Sequence, residues 1–380
     1  MPAVEAIDRA EAARPQEGSQ QPKTKRKQIP LSLCLSLDDI ESAAEIALPK
    51  PAWTYFHSAA DGLGSLRNNQ QDWRKVTFRP RIMRNVKRVD LRQKMLGYAS
   101  SLPFFIAPAA RATLVHPDGE LCLVRGAART GIPYCPSTFS SFPHTDLAQC
   151  LKLENSLDGR GCMFFQLYVA KEKRRTIELV AMARKLGFKA LFITVDTAVV
   201  GKREEDERCR AEQDHLAGRP DGALVQWKRR SESPGDDSPV LRGHSSSTLN
   251  WDDLPWIREA WGVDTGPVVL KGIQTVEDAV MAVQAGVDAI YLSNHGGRQC
   301  DDAPSSLHVL LEIHRFHPEI LGKVEIYLDG WVRRGADILK AIALGASGVA
   351  IGRPFMYSLQ YGTEGVLKAI QSEPELLLFS

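Results

Sequence analysis

The chain has 380 residues, 43% of them hydrophobic and 25% charged, a composition typical of a globular protein that buries one large core or two smaller ones. Its 48 basic and 46 acidic residues leave a net charge of +2, so no overall field favours a nucleic-acid partner. No apolar run approaches the ~18 residues that a membrane span requires, so we expect no membrane partner.

The seven cysteines are scattered along the chain without CxxC spacing. This pattern predicts reduced thiols in a reducing compartment, with neither a disulfide framework nor a zinc site, and we expect no metal. The N-terminus lacks the apolar core of a secretory signal, and the C-terminal Leu-Phe-Ser does not match the peroxisomal Ser-Lys-Leu signal. We therefore expect a cytoplasmic protein.

Residues 1–30 are rich in charged residues, Gln and Pro and contain very few large apolar side chains. Ordering such a segment would cost more conformational entropy than its burial could offset, so we expect a disordered tail. The run "KTKRK" inside it is a candidate targeting or nucleic-acid signal, but the composition favours a solvated charge run.

From residue 102 onward, short apolar runs alternate with longer amphipathic stretches, which is typical of βα units. The apolar runs occupy 103–108, 132–136, 162–169, 190–196, 267–272, 289–297, 324–330 and 348–353. The predicted helices occupy 118–130, 145–153, 171–186, 251–261, 275–285, 304–316, 333–344 and 356–371, and a long loop, about 197–250, follows the fourth strand. Eight such units predict an α/β fold, a closed (β/α)8 or TIM barrel over residues 31–380, rather than an open doubly wound sheet.

Nearly every predicted strand ends in small or polar residues. Each has a structural explanation when taken alone: Asp196 as a helix cap, Lys271 as a solvent-facing cation and His295 as a hydrogen-bonded core imidazole. Barrel enzymes place their chemistry where strands end, and a purely structural rim has no need of polar groups on all its strands. Together these residues indicate a ligand pocket at one end of the barrel.

The last two units carry a second signal. The segments "DGWVRRGAD" and "GVAIGRPF" place glycines and the arginines Arg333, Arg334 and Arg353 in the loops where barrels commonly bind phosphate. Guanidinium groups there would add charge-assisted hydrogen bonds. The sequence therefore predicts a phosphate-bearing ligand.

Seven segments complete the pattern: "LPKPAWTYFHSAADG" (48–62), "FRPRIM" (78–83), "FFQLYV" (164–169), "TVDT" (194–197), "SNHGGRQ" (293–299), "LDGWVRRG" (328–335) and "IGRP" (351–354). In this order they resemble the FMN-dependent L-α-hydroxy acid oxidases and dehydrogenases, the family of glycolate oxidase, lactate oxidase and the flavin domain of flavocytochrome lactate dehydrogenases. The resemblance covers most of the chain. It implies FMN-dependent oxidation of an L-2-hydroxy acid to the 2-oxo acid.

The same resemblance implies a role for each matching residue. FMN would contact Pro108, Ala109, Ala110, Ser137, Gln166, Thr194, Lys271 and Ser293, with its phosphate on Asp329, Gly330, Trp331, Val332, Arg333, Gly352 and Arg353. The substrate carboxylate would bind Arg298 and Tyr55 with a second cationic contact from Arg203, and the substrate hydroxyl would bind Tyr168. His295 would be the catalytic base, and Asp196 would orient it and raise its proton affinity.

The spacing within "SNHGGRQ" suits this chemistry. His295 and Arg298 lie three residues apart, so one short loop can supply both the base and the carboxylate clamp. A planar guanidinium binds a carboxylate through two parallel bonds, which fixes its orientation. Gly296 and Gly297 would permit the tight turn and remove side chains that would crowd the substrate. The ammonium of Lys271 would stabilise negative charge on the flavin ring.

The sequence departs from the family pattern at several points. Trp331 replaces the second glycine of the usual DGGVRRG, and Phe139 replaces a tryptophan of glycolate oxidase, which suggests a different pocket size. The C-terminal extension is expected to be shortened. Relatives are commonly tetramers, so we expect a homo-oligomer, but the shortened terminus leaves its subunit number open. No haem-binding domain precedes residue 48, so we expect O2 or a separate electron acceptor to take the electrons.

Two other interpretations remain open at this stage. One is a different FMN barrel, such as an isopentenyl diphosphate isomerase or a nucleotide dehydrogenase, although these lack the paired His295 and Arg298 with Tyr55. The other is a truncated, non-catalytic paralogue that binds FMN or a ligand without turnover, which Trp331 and the short C-terminus favour. The apparently complete catalytic set opposes it.

Overall fold

The computed structural model describes residues 28–85, 87–218 and 245–379, with side chains described to residue 372. An antiparallel hairpin, β1 (Gln93–Met95) and β2 (Tyr98–Ser100), precedes one sheet of parallel strands. The strands of that sheet are β3 (Phe104–Ile106), β4 (Phe165–Leu167), β5 (Leu191–Thr194), β6 (Val268–Ile273), β7 (Ala289–Leu292), β8 (Glu325–Leu328) and β9 (Gly348–Ile351). They pair in the order β3-β9-β8-β7-β6-β5-β4, which leaves β3 and β4 as the two edges.

The predicted second strand closes this sheet. Tyr134 forms a parallel bridge to Ile106 on one side and to Met163 on the other. Its neighbours Pro133 and Pro136 have no N–H group, so the segment 132–136 cannot form a full ladder and is reduced to one bridging residue. With this eighth member the fold is a TIM barrel, as the alternation predicts.

The helices lie between the strands and around them. In chain order they are α1 (Leu37–Ala47), α2 (Lys50–His57), α3 (Gly64–Lys75), α4 (Gly119–Thr130), α5 (His144–Ser156), α6 (Lys173–Lys185), α7 (Glu204–Leu216), α8 (Leu254–Trp261), α9 (Val276–Gln284), α10 (Ser306–Phe316), α11 (Gly335–Ala343), α12 (Arg353–Ser358) and α13 (Gly362–Phe379). The first three precede the barrel and have no counterpart among the predicted elements. They matter for function because α2 carries Tyr55.

Aromatic side chains fill the barrel interior. Phe105 makes edge-on contacts with Phe192, Tyr291 and Tyr327, at ring-centroid distances of 5.7, 5.8 and 5.5 Å. Met95 of the β1–β2 hairpin packs into the same cluster and is fully buried. Because the interior is packed, a ligand must bind at the rim where the strands end.

Two predicted irregular segments fall partly outside the described residues. Within the long loop after the fourth predicted strand, α7 is described, and residues 219–244 lie outside the description. Residues 1–27 of the predicted tail lie outside it as well, whereas Gln28 and Ile29 hydrogen-bond to Gln360 and Tyr361. Among the described helices, none combines the length and apolarity needed to cross a bilayer.

Candidate active site

Three charged or titratable side chains from different strand ends meet at the barrel rim. Asp196 follows β5, Lys271 lies within β6 and His295 follows β7. Asp196 Oδ1 lies 2.8 Å from His295 Nδ1, and Asp196 Oδ2 accepts a hydrogen bond from Lys271 Nζ at 3.4 Å. The side chains are 0%, 4% and 18% exposed for Asp196, Lys271 and His295, so this cluster is shielded from water.

A glycine makes the approach of Asp196 to Lys271 possible. Gly272 has φ +108°, and a Cβ placed there would lie 2.6 Å from the Cβ of Asp196. The β6–β7 register shifts at the same point, between Lys271 and Ile273. Gly272 is therefore a functional position that sequence reasoning missed, although the glycine directly after the lysine was its visible signal.

The charges of the cluster follow from burial and from the pairing. Burial opposes ionisation of Asp196, but His295 and Lys271 outweigh it and hold the pKa of this carboxyl well below its ordinary value. Burial likewise works against the charge of Lys271, yet Asp196 and Asp329 raise the pKa of its ammonium. At neutral pH the pair is therefore a carboxylate and an ammonium.

Burial and the pairing act in opposite directions on the imidazole. Asp196 does raise the proton affinity of His295, but burial is the larger effect and the pKa of His295 is lowered below 6.5. At neutral pH the ring is uncharged. Because Nδ1 faces the carboxylate, Nδ1 carries the proton and Nε2 is left as the free base.

The turn that carries His295 runs through three consecutive left-handed residues. His295, Gly296 and Gly297 have φ values of +59°, +65° and +75°. A Cβ on Gly296 would lie 2.7 Å from Arg353 Nη1, and one on Gly297 would lie 2.8 Å from the backbone N of Leu66. These glycines were expected to make room for the substrate. Instead, the space beside them is occupied by Arg353 and by α3.

A buried amide pair braces this turn. Asn294 Oδ1 accepts hydrogen bonds from Gly297 N at 3.0 Å and from Asn69 Nδ2 at 2.9 Å. Its own Nδ2 donates to Asn69 Oδ1 and to the carbonyl of Pro304. Asn69 and Asn294 were not among the predicted site residues. The asparagine beside His295 was the only sequence signal, since its partner lies more than two hundred residues away.

Arg298 binds the backbone at the end of α2 through one nitrogen of its guanidinium. Nη1 donates to the backbone carbonyls of Tyr55, Phe56 and Ser58 at 2.9, 3.3 and 2.9 Å, so it caps the C-terminus of α2. Neither Nε nor Nη2 is hydrogen-bonded to any residue in the described part of the chain. Burial, aided by the nearby positive charges of Arg203 and Arg353, lowers the pKa of Arg298 to about 9, so it stays charged at neutral pH.

Of the remaining predicted substrate residues, Tyr168 contacts Nε2 of His295 and Tyr55 contacts Arg298. Tyr168 Oη lies 3.4 Å from this nitrogen, and burial raises the pKa of Tyr168 to about 12, so the phenol keeps its proton. The Tyr55 ring lies 5.3 Å from the guanidinium carbon of Arg298. Arg203 Nε is buried without a hydrogen-bond partner among the described residues. Phe139 stacks on Tyr168, with ring centroids 5.3 Å apart.

The predicted phosphate segment is held by internal contacts. Trp331 has φ +65°, and the guanidinium carbon of Arg333 lies 4.2 Å from the centroid of its ring. Arg333 Nη2 also pairs with Glu41 at 2.8 Å. Asp337 accepts hydrogen bonds from the backbone N–H groups of Arg333 and Arg334, both at 3.0 Å, at the start of α11. The loop is thus rigid, with Val332 buried in it.

Arg353, the other predicted phosphate ligand, faces backbone carbonyls. Its Nε, Nη1 and Nη2 donate to Phe56, Gly296 and Ser58 at 2.8, 2.9 and 3.1 Å. Arg298 shares the Phe56 and Ser58 carbonyls. The two guanidinium groups therefore join α2 to the turn that carries His295, a structural role that the sequence did not reveal.

One group of potential metal ligands also exists among the described residues. Ligand atoms of His116, Asp118 and Cys122 lie within 4.8 Å of one another. However, Asp118 pairs with Arg125 at 2.8 Å, and His116 Nδ1 accepts the backbone N–H of Asp118 at 3.1 Å. These atoms already have partners, so we do not assign a metal centre to them.

The family model for FMN-dependent dehydrogenases matches residues 44–374. The chain belongs to the FMN-dependent dehydrogenase family. It is 36% identical over 354 residues to an L-lactate dehydrogenase (cytochrome) of Wickerhamomyces anomalus, a match that covers 90% of this chain and 57% of that protein. It is also 36% identical over 337 residues to a peroxisomal (S)-2-hydroxyacid oxidase of Arabidopsis thaliana, covering 88% of each.

Solved structures of the family share the fold. The recombinant flavin-binding domain of baker's yeast flavocytochrome b2 matches with a TM-score of 0.81 and 32% identity, covering 92% of this chain and 83% of that one. A mandelate oxidase variant matches with a TM-score of 0.74 and 31% identity, covering 91% and 92%. The protein is thus an FMN-dependent oxidoreductase, and its cofactor is FMN.

The residues at the rim fit this cofactor. Gln166 connects Ser137 and Thr194 through hydrogen bonds of 3.3 and 2.9 Å, and Lys271 reaches Ser293 at 3.5 Å, so a row of buried donors faces the rim. Four other predicted FMN contacts, Pro108, Ala109, Ala110 and Gly352, are small residues that follow β3 and β9 and are half-buried. Asp329 Oδ1 is buried without a hydrogen-bond partner in the described chain, as expected of an atom that accepts a bond from a ligand hydroxyl.

Two further residues of the site had gone unnoticed. Thr197 Oγ1 donates to Asp196 Oδ1 at 2.7 Å, and Thr138 Oγ1 donates to the backbone carbonyl of Gln166 at 2.6 Å. The first supports the carboxylate and the second supports the donor row. Both stand directly beside a predicted site residue, so adjacency was the signal that could have found them.

Proposed function

We propose that the protein oxidises an L-2-hydroxy acid to the 2-oxo acid, with His295 as the base. The observation that carries the proposal is the hydrogen-bonded set of Asp196, Lys271 and His295 beside Tyr168, with Nε2 of an uncharged imidazole left free. FMN, when bound, supplies a two-electron acceptor. The substrate loses two electrons and two protons: His295 Nε2 takes one proton, and the bound cofactor would accept both electrons with the other proton.

The carboxylate of the acid would bind the unpaired edge of Arg298. Its Nε and Nη2 form a planar donor pair that matches the two oxygens of a carboxylate. The other terminal nitrogen, Nη1, holds the guanidinium against α2 through three carbonyls, so the clamp is fixed before substrate arrives. Tyr55, on the same helix, and the buried Nε of Arg203 would complete the carboxylate site.

Tyr168 and Asp196 support the two ends of the proton transfer. The protonated Tyr168 hydroxyl can donate to the substrate oxygen beside His295 Nε2. As Nε2 gains a proton, the imidazole becomes positively charged and the carboxylate of Asp196, 2.8 Å from Nδ1, stabilises it. The contact between Asp196 and His295 thus becomes an ion pair only as the imidazole takes the proton. Such an interaction stabilises the transition state more than the ground state.

The direct test is anaerobic reduction of the bound flavin. The purified protein should be yellow and should bleach when mixed with glycolate, L-lactate or longer L-2-hydroxy acids. A protein that takes up FMN but is bleached by none of a broad panel would contradict the proposal. A colourless protein that cannot take up added FMN would favour a non-catalytic paralogue instead. The complete His295 cluster argues against that alternative.

We also propose that O2 or a separate electron acceptor takes the electrons, that the protein is cytoplasmic and that it forms a homo-oligomer. Location is supported by the seven cysteines, all unpaired. Assembly is supported by Ile82 and Met83, which are 85% and 98% exposed and next to each other. Peroxide release during turnover in air tests the acceptor, and light scattering of wild type against Met83→Lys tests the assembly, since a monomeric wild type would contradict it.

A further inference from the structure

A second guanidinium group faces the Tyr55 ring from outside the predicted site. Arg111 follows the Pro108-Ala109-Ala110 segment, and its guanidinium carbon lies 5.3 Å from the centroid of the Tyr55 ring. The guanidinium carbon of Arg298 lies at the same distance, 5.3 Å, from that centroid. The two cations are therefore separated by no more than twice this distance, with the aromatic ring as their common neighbour.

Among the described residues, Arg111 has no acidic partner. Within the described parts of the chain, no carboxylate forms an ion pair with Arg111, and none does so with Arg203 or Arg298. Of the rim carboxylates, Asp196 is already shared by Lys271 and His295, and Asp329 accepts a hydrogen bond from Tyr291. One substrate carboxylate would satisfy the Arg298 side of this positive region and would leave Arg111 without a counter-charge.

The backbone of Arg111 adopts an unusual conformation. Arg111 has φ +63° and ψ +37°, a left-handed conformation that is unfavourable for a residue with a side chain. Its guanidinium nevertheless faces the Tyr55 ring. Arg111 is exposed to solvent, whereas Arg298 is half-buried.

We infer that Arg111 binds a second anionic group of the substrate, so that the preferred substrates are 2-hydroxy dicarboxylates of four or five carbons. This inference rests on the proposed function and names its substrate class. Such a chain places its carboxylates roughly 4 to 5 Å apart, and each charge-assisted bond adds about 2.8 Å. One acid can therefore reach Arg298 with its first carboxylate and Arg111 with its second.

The test compares acids of equal length with and without the second charge. L-2-hydroxyglutarate and L-2-hydroxypentanoate are given to wild type, Arg111→Gln, Arg111→Lys and Arg315→Gln, and kcat/KM is measured for each. Arg315 is the matched control, because it is also exposed and lies 5.2 Å from an aromatic centroid, that of Phe316. Arg111→Gln should lower the ratio of kcat/KM for the dicarboxylate over the monocarboxylate roughly tenfold, the loss expected for one partly exposed charge-assisted bond.

The other outcomes are equally informative. Arg111→Lys should retain part of the ratio, and Arg315→Gln should leave it unchanged. A ratio for Arg111→Gln within twofold of wild type would overturn the inference and leave the proposed function standing.

Binding provides a readout that does not depend on turnover. Calorimetric Kd values for 2-oxoglutarate and 2-oxopentanoate should show the same roughly tenfold loss of discrimination in Arg111→Gln. If no acid of the broad L-2-hydroxy acid panel reduces the flavin but Arg111→Gln still loses this discrimination, the proposed function fails and the second anion site stands. If binding discrimination is also unaffected, the inference fails as well.

Discussion

Replacing Asp196 by Asn removes the charge that supports His295 while keeping the shape of the side chain. The carboxylate is fully buried and lies 2.8 Å from His295 Nδ1. Charges about 4 Å apart interact by roughly 4 kcal/mol at the effective dielectric constant of about 20 that suits protein sites. Because the imidazolium forms only during the reaction, this interaction is lost from the transition state rather than from the resting enzyme.

We expect the loss to be about 2 to 4 kcal/mol after partial compensation by the released Lys271, which corresponds to a roughly 30- to 1000-fold slower flavin reduction. Anaerobic stopped-flow at saturating acid measures this rate directly. Asp206→Asn is the matched control, since Asp206 is another buried carboxylate that pairs with Arg210 on its own helix, and it should change the rate less than threefold. An Asp196→Asn protein with full FMN occupancy and a rate within fivefold of wild type would refute this role.

The pH dependence of kcat/KM tests the interaction between Asp196 and His295 independently. The base must be uncharged, so kcat/KM should fall as pH drops through the pKa of His295, which burial places below 6.5. Asp196 acts to raise that pKa, so Asp196→Asn should move the acidic limb to still lower pH. A limb that moves upward would mean that the titrating group is not His295.

Three further changes follow from the geometry. Arg298→Lys cannot hold three carbonyls and a carboxylate at once, so kcat/KM should fall roughly 10- to 100-fold, and a loss under about threefold would remove the two-bond role. Gly272→Ala should lower the free energy of unfolding by about 2 to 4 kcal/mol because its Cβ meets Asp196 at 2.6 Å, whereas Gly322→Ala, with φ +87° and open space, should cost about 1 kcal/mol in urea titrations. Trp331→Gly should lower the Kd for FMN roughly 3- to 10-fold, because it relieves the left-handed backbone and removes the ring against which Arg333 packs. An unchanged or higher Kd in fluorescence titrations would show that the indole does not hinder the cofactor.

The barrel and its functional rim could be predicted because both depend on local pattern. Each buried strand appears as an apolar run, and the residue after it falls at the rim whatever the rest of the fold does. This is why Asp196, Lys271 and His295 could be grouped before any coordinates were known. Even the reduction of the second strand to Tyr134 follows from its flanking prolines.

Long-range contacts could not be predicted in the same way. The sequence indicates that Gly272 is small but not that Asp196 needs the space, because the two residues approach only in the folded barrel. The partners of Arg353 are a further example: its motif indicates phosphate, whereas its nitrogens donate to carbonyls of α2 and the catalytic turn. The net pKa of His295 also depends on burial, which no motif reports.

The central claim is that His295 is the base through which a 2-hydroxy acid reduces the flavin. The most direct measurement is the single-turnover rate of anaerobic flavin reduction in His295→Gln, with FMN content confirmed by absorbance. We predict a rate at least about 100-fold below wild type, the lower end of the usual contribution of a general base. A His295→Gln protein that binds FMN and is reduced at the wild-type rate would contradict the claim.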